Sequence, residues 1–230
     1  MLFLAILAGG CPHISSGLPP SVRLPPLEPV RPAAGVYHTV QQDENLGGIA
    51  KTYEIEPQQL AEVNNLRPPY VIKQSSRVFV PGASQVKPVD ANKAPPPLEP
   101  RVEEFTGILS WPVEGRVVSE FGVRDGLQHN GTVIEAAEGT PVSAAAEGKV
   151  GYVGQISGRV KVVLIEHPNR MVTVYAHLGE IRAAEGQLIK RGEIIGAVGS
   201  SGRVDSPSLY FEVRSRSNPR NPLFFLPPRA

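Results

Sequence analysis

The pentapeptide Pro-Pro-Leu-Glu-Pro occurs twice, at Pro25–Pro29 and at Pro96–Pro100. Proline fixes φ and removes a backbone donor, so stretches dense in it run extended instead of packing into helix or sheet. Neither copy lies in a run with helical or strand periodicity, which makes both linkers and not a structural repeat. With 24 prolines in 230 residues, the chain divides at these two points. The expected units are a leader over 1–11, a Pro-rich tether over 12–34, a small domain over 35–83, a Pro-rich linker over 84–106 and a larger domain over 107–230.

The net charge of +1 leaves no basic footprint for a nucleic-acid partner. Cys11 is the only cysteine, so no disulfide can form within the chain. The run Met1–Gly10, MLFLAILAGG, is too short to span a bilayer, which takes roughly 20 apolar residues. Its ending, Ala8-Gly9-Gly10 before Cys11, resembles the lipobox of bacterial lipoproteins, although no Lys or Arg precedes the run and Ala8 stands where leucine is commoner. The resemblance implies a lipid on Cys11, anchoring the chain in the bacterial cell envelope, on the periplasmic side of the outer membrane, without a transmembrane helix.

In the small domain, Tyr37–Val40 reads as a strand, and Gln42–Asn45 suits a turn and a helix start. Leu46, Ile49, Ala50 and Tyr53 fall at helical spacing. A second helix begins at Pro57, with Leu60 and Val63 inward, and Asn64-Asn65 closes it. Arg77–Pro81 is a second strand, so the predicted order is βααβ. The run YHTVQQDENLGGIAKTYEIEPQQLAEVNNL followed by RVFVPG resembles a LysM module. That family binds N-acetylglucosamine-containing glycan, chiefly peptidoglycan in bacteria. The resemblance implies a glycan groove lined by two loops, Gln42, Asp43, Glu44, Asn45 and Leu46 on one side and Pro69, Tyr70, Val71 and Ile72 on the other. Gly47 replaces the family's common tryptophan, and Asp43 stands where glycine is usual.

From Trp111 the pattern changes to short strands between glycine turns, which predicts an antiparallel all-β sandwich or barrel. Val160, Val162 and Leu164 with the run to Val174 predict a hairpin with an aliphatic core face, and His167 beside Pro168 falls at its surface end. In Gly199–Val213, a loop leads into a strand on which Leu209, Phe211 and Val213 alternate with Ser208, Tyr210 and Glu212. Side chains two apart share a strand face, so Ser208 and Tyr210 point together. SWPVEGRVVSEFGVR, HNGTVIEAAEGTPVSAAAEGKV, VYAHL and GSSGRVDSPSLYFEVR in this order resemble the lysostaphin-type (LytM) zinc endopeptidases, whose fold is a duplicated β-sheet hybrid. The fold class is therefore multi-domain: a small βααβ LysM domain and an all-β LytM domain, joined by Pro-rich linkers.

A catalytic zinc takes three protein ligands and keeps one position open for water. The resemblance draws these ligands from a His-x-Gly-x-Asp segment and from the second histidine of a His-Leu-His strand. Here the first segment reads His129-Asn130-Gly131-Thr132-Val133, and the strand reads Ser208-Leu209-Tyr210. His129 remains as a vestigial ligand, while valine and tyrosine occupy the other two ligand positions. Ser208 stands at one catalytic histidine position, and His177 keeps the other. Glu135, two residues along a shared strand face from Val133 and His129, and Asp205 are the neighbouring carboxylates. On this count no metal and no other cofactor is expected, and no catalytic residue, with His177 and Ser208 vestigial. His129 and His177 become structural hydrogen bonders, and Ser208 and Tyr210 fill the former metal pocket within bonding reach of them. What remains is a partner groove of His129, Val133, His177, Ser208 and Tyr210.

Three functions are compatible with this pattern. The order of anchor, LysM module and metal-free LytM domain resembles the envelope lipoproteins that activate peptidoglycan amidases during cell separation, which implies peptidoglycan and a cell-wall amidase as partners. The alternatives are an active zinc endopeptidase cutting peptidoglycan cross-bridges and a structural wall-binding lipoprotein.

Overall fold

The computed structural model describes residues 31–91, 95, 108–156, 160–201, 206–216 and 218–229. Cys11 and the leader, both Pro-Pro-Leu-Glu-Pro segments and Asp205 lie outside the described residues. Among the described residues, no helix is long and apolar enough to cross a membrane.

A two-residue strand, β1 (Arg31–Pro32), precedes the small domain. That domain runs β2 (Gly35–Thr39), α1 (Leu46–Tyr53), α2 (Pro57–Val63) and β3 (Arg77–Pro81), with β2 antiparallel to β3. The Asn45 side chain caps α1 by accepting from the Gly48 N–H at 2.8 Å, a contact worth about 1 kcal/mol. Pro57 starts α2, where its missing N–H has no intrahelical partner to lose. Asn64 then ties α2 to the hairpin: its amide donates to the Leu60 and Phe79 carbonyls and its oxygen accepts from the Phe79 N–H. Val40, Leu46, Ile49, Ala50, Leu60 and Val80 close the core between helices and hairpin.

Among the described residues, the larger domain contributes thirteen strands in chain order. They are β4 (Arg116–Ser119), β5 (Gly122–Arg124), β6 (Leu127–His129), β7 (Thr132–Glu135), β8 (Pro141–Ser143), β9 (Gly148–Ile156), β10 (Val160–His167), β11 (Met171–Ala176), β12 (Leu178–Ile181), β13 (Leu188–Ile189), β14 (Ile194–Val198), β15 (Ser208–Ser215) and β16 (Asn218–Arg220). The main antiparallel sheet has the order β13-β9-β10-β11-β15-β7-β4, with β16 beside the far end of β15. Its inner face carries Ile134, Val163, Ile165, Tyr175, Leu209 and Phe211, all fully buried. Tyr175 and Phe211 sit directly opposite on β11 and β15, ring centroids 5.4 Å apart.

Two expectations about the β10–β11 hairpin need correction. Val160, Val162 and Leu164 do not face the main core. They form a second cluster with Val174 and Ala176 on the opposite face, edged by Tyr152 and Tyr210, while Val163 and Ile165 face the core. A central strand covered on both sides reads as a continuous apolar run, from which the inner face cannot be chosen. His167 is not at the surface either. It is buried, its Nδ1–H donates to the Glu147 carbonyl at 2.6 Å, and its Nε2 lies 2.7 Å from the Thr173 hydroxyl. Only the turn Pro168–Arg170 is exposed. The Thr173 oxygen is 3.0 Å from the Tyr175 hydroxyl, which accepts from the Ala145 N–H, so the polar chain is satisfied end to end. Burial lowers the pKa of His167 and pushes that of Tyr175 up to about 12.

The two domains are joined by more than a linker. Glu62 on α2, its side chain 3% exposed, accepts from Arg220 Nε at 2.8 Å and Nη2 at 2.5 Å. The Asn221 amide donates to the Glu62 carbonyl at 3.0 Å and to the Asn65 side-chain oxygen at 2.6 Å, and the Asn65 amide donates to the Phe121 carbonyl at 2.9 Å. Gly122, at φ 117°, lies so close to the Val63 carbonyl that a Cβ there would stand 2.5 Å from it. The last residues of the Pro-rich tether over 12–34 are paired: β1 lies antiparallel to β6, Arg31 opposite Gln128. The linker over 84–106 begins against the small domain, where the Lys87 N–H donates to the Tyr53 hydroxyl at 2.8 Å.

Candidate functional site

β15 is the strand on which the site is built. Tyr210 is paired with Val133 of β7 on one side and Ala176 of β11 on the other, and Ser208 is paired with Glu135. Directly opposed residues share a sheet face, so Val133, Tyr210 and Ala176 form one row and Ser208 and Glu135 the next. His129 does not share the strand of Val133 and Glu135, as the sequence reading had it. It ends β6, which pairs with β5, and the chain turns through Asn130-Gly131 before β7 begins.

Tyr210 fills the space between these strands. A Cβ on Gly131 would stand 2.7 Å from Cζ of the Tyr210 ring, so the phenol lies directly on the His-Asn-Gly turn. His177, at φ 65° between β11 and β12, is buried and meets the Tyr210 ring edge-on at 6.4 Å. Its Nδ1–H donates to the Ser201 carbonyl at 2.6 Å. Ser208 is also buried, 3% exposed. Val133, Tyr210, Ser208 and His177 are therefore gathered on adjacent elements, and His129 ends the strand just before the turn on which Tyr210 rests.

Two further residues belong to this face. The Tyr210 hydroxyl donates to Glu212 Oε2 at 2.9 Å, and Arg214 Nε donates to Glu212 Oε1 at 2.6 Å. Burial raises the Glu212 pKa, against the opposing pull of the Arg214 charge and the bonds from Tyr210 and Arg214. The carboxylate thus holds the phenol from the far side of the metal positions. The signal for this was present in the sequence: 210, 212 and 214 are two apart and share a face.

These residues do not fit a zinc ion. Of the three family ligand positions, Val133 offers no lone pair and the Tyr210 hydroxyl is committed as a donor to Glu212. Glu135 is held by Arg116 at 2.6 Å and Ser206 at 3.1 Å, and those bonds lower its pKa. Among the described residues, no group of three or more His, Cys, Asp or Glu side chains is arranged to hold a metal.

On the small domain, the two loops singled out from sequence present some residues and withdraw others. Gln42, Asp43, Pro69 and Val71 are exposed. Leu46 and Tyr70 are buried, and Ile72 is half-buried. Glu44 turns inward, its Oε2 accepting from the Gln41 N–H and lying 2.8 Å from His38 Nε2. Asn45 is occupied by the α1 cap and by the Pro95 carbonyl, to which it donates at 3.1 Å.

Residues 38–81 match the LysM domain family, and residues 127–222 match peptidase family M23. The uncharacterized lipoprotein YgeR of Escherichia coli is 31% identical over 213 residues, covering 86% of this chain and 83% of that protein. The murein hydrolase activator NlpD of Escherichia coli is 35% identical over 120 residues, 52% of this chain and 31% of NlpD. The DD-carboxypeptidase/endopeptidase Mpg of Neisseria meningitidis is 40% identical over 114 residues, 47% of this chain and 26% of Mpg. The match thus spans most of YgeR but under a third of the other two.

Proposed function

Because this chain belongs to the family of LysM–M23 proteins that includes YgeR, we propose that it is a non-catalytic cell-wall regulator: the small domain binds peptidoglycan, and the large domain docks and activates a peptidoglycan amidase. The observation that carries this reading is the Val133–Tyr210 pair, an aliphatic chain and an anchored phenol at two ligand positions, with the phenol packed on Gly131. Loss of one outer partner of a metal ligand already costs ~10–100-fold in affinity or activity, and loss of two ligands costs more. The relative named as a murein hydrolase activator supports the docking role. Cys11 anchors the chain by its lipid to the outer membrane, facing the periplasm, where wall and amidase meet.

The identity with Mpg favours a second reading, a zinc endopeptidase. Its difficulty is the donor set: His129 is the one imidazole at the ligand positions, and the described carboxylates on the neighbouring strands are already engaged, Glu135 by Arg116 and Glu212 by Tyr210 and Arg214. Retention of the zinc amidase of the same organism on the immobilised chain separates the two. Retention that falls in a Tyr210→Ala variant supports docking at this face. Equal retention by the variant, or none by the parent chain, rejects it.

A further inference from the structure

Between α2 and the large domain lies a cleft of about 660 Å³. Gln58 and Gln59 line its α2 side, and Phe121, Gln128, Asn130 and Pro219 line the other. Its walls are held at a fixed separation by the Glu62–Arg220 pair and by the Asn221–Asn65 and Asn65–Phe121 bonds, so a ligand entering it meets a preformed site. The cation in the cleft is already paired, since Arg220 donates from Nε and Nη2 to the Glu62 carboxylate, and Glu56 adds a further acid to the lining. An anionic ligand finds no unopposed positive charge there. Side-chain amides both donate and accept, and with flat apolar groups beside them they match a neutral sugar carrying acetamido groups.

The cleft also connects the two candidate sites. On the α2 wall, Tyr70 of the loop Pro69–Ile72 donates its hydroxyl to Gln58 at 3.3 Å, so the loop and the cleft wall are bonded to each other. On the opposite wall, Asn130 lies between His129 and Gly131, the turn on which Tyr210 rests. We infer that this interdomain cleft is a binding subsite for a neutral chain of N-acetyl amino sugars, extending the small domain's groove toward the turn His129–Gly131. The inference rests on the peptidoglycan reading of the small domain. It makes the wall strand a ruler: glycan held by the small domain is led to the edge of the large domain's partner face.

The test is titration of the isotope-labelled full chain with tetra-N-acetylchitotetraose and with the disaccharide, following side-chain amide resonances. The expected result is movement of the Gln59 and Asn130 amides with the tetrasaccharide. A Gln59→Ala/Asn130→Ala variant should weaken the tetrasaccharide roughly ten-fold, the worth of one or two lost hydrogen bonds, and leave the disaccharide unchanged. Asn130→Asp, which keeps the side-chain volume, should weaken it too. Tetrasaccharide binding that moves only the loops at 42–46 and 69–72, and is unaffected by these variants, overturns the subsite while the groove reading stands. No binding of either sugar by the parent chain removes the groove reading and the subsite together. If a variant fails to fold, the parent chain's amide shifts decide.

Discussion

The small domain and the large domain keep their folds on similar terms but treat their ligand positions differently. In the small domain the two loops hold their shape through inward anchors, Glu44 to His38 and Gln41, Asn45 to Gly48, Tyr70 to Gln58, and leave Gln42, Asp43 and Val71 outside. In the large domain the anchors have moved into the site itself: Tyr210 lies on Gly131, and Glu212 and Arg214 hold it from behind. The first arrangement keeps a surface available for a ligand. The second spends the space on protein atoms and turns the region into structure. A fold is retained by its core, here Leu209 and Phe211 on the other side of the same strand, while the outward row is free to change its chemistry.

The sharpest way to break this contrast is to remove the anchor. Glu212→Ala removes the buried carboxylate that accepts from both Arg214, whose side chain is 7% exposed, and Tyr210. Urea unfolding should show a loss of about 3–5 kcal/mol. Glu44→Ala in the small domain, which removes one hydrogen-bond acceptor, should cost about 1–3 kcal/mol. Equal costs would mean that the large domain's site is no more structural than the small domain's loops.

A second test reverses the change. The variant Val133→Asp/Ser208→His/Tyr210→His restores the ligand set implied by the family resemblance. Zinc titration should show affinity at least ~100-fold above the parent chain. Stoichiometric zinc in the parent chain would contradict the contrast from the other direction.

The link between the domains sets the next effect. Arg220→Ala leaves Glu62 buried without its guanidinium, and because the Arg220 side chain is 25% exposed the loss should be about 2–3 kcal/mol. The small domain should then melt before the large one, in two steps. A single unchanged transition would show that the docked arrangement does not depend on this pair.

The smallest effect is on pH dependence. His167 has a pKa lowered by burial. Below about 6.5, the ordinary imidazole value, the unfolded chain takes up a proton that the folded chain resists. The unfolded state then binds more protons, so stability present above that pH is lost as pH falls toward the depressed value. His167→Gln should flatten the melting temperature between about pH 7 and pH 5 relative to the parent chain. The same slope in both would assign the acid sensitivity elsewhere.

Much of this molecule is legible from residue order. Asn45 before an apolar helical run, Pro57 at a helix start and Asn64-Asn65 at its end announce the small domain, and Asn45 and Asn64 make the local bonds their positions imply. The alternation in Ser208–Val213 places Tyr210 opposite Leu209 and makes the ligand positions readable. What escaped was long-range or two-sided. Glu62 and Arg220 are 158 residues apart, and no local pattern links them. His167 looks like a turn residue because Pro168 follows it, yet its ring is drawn inward by the Glu147 carbonyl just before β9 and by Thr173 on β11. His129 and Val133 read as one strand because Gly131 between them gives no hint that one strand ends there and the next joins a different sheet.

Release of dye from labelled sacculi, with zinc present, measures the division of labour directly. The chain alone should release nothing above buffer, and the amidase of the same organism should release dye faster when the chain is added. Release by the chain alone, abolished by a chelator, would contradict it, as would an amidase rate that the chain leaves unchanged.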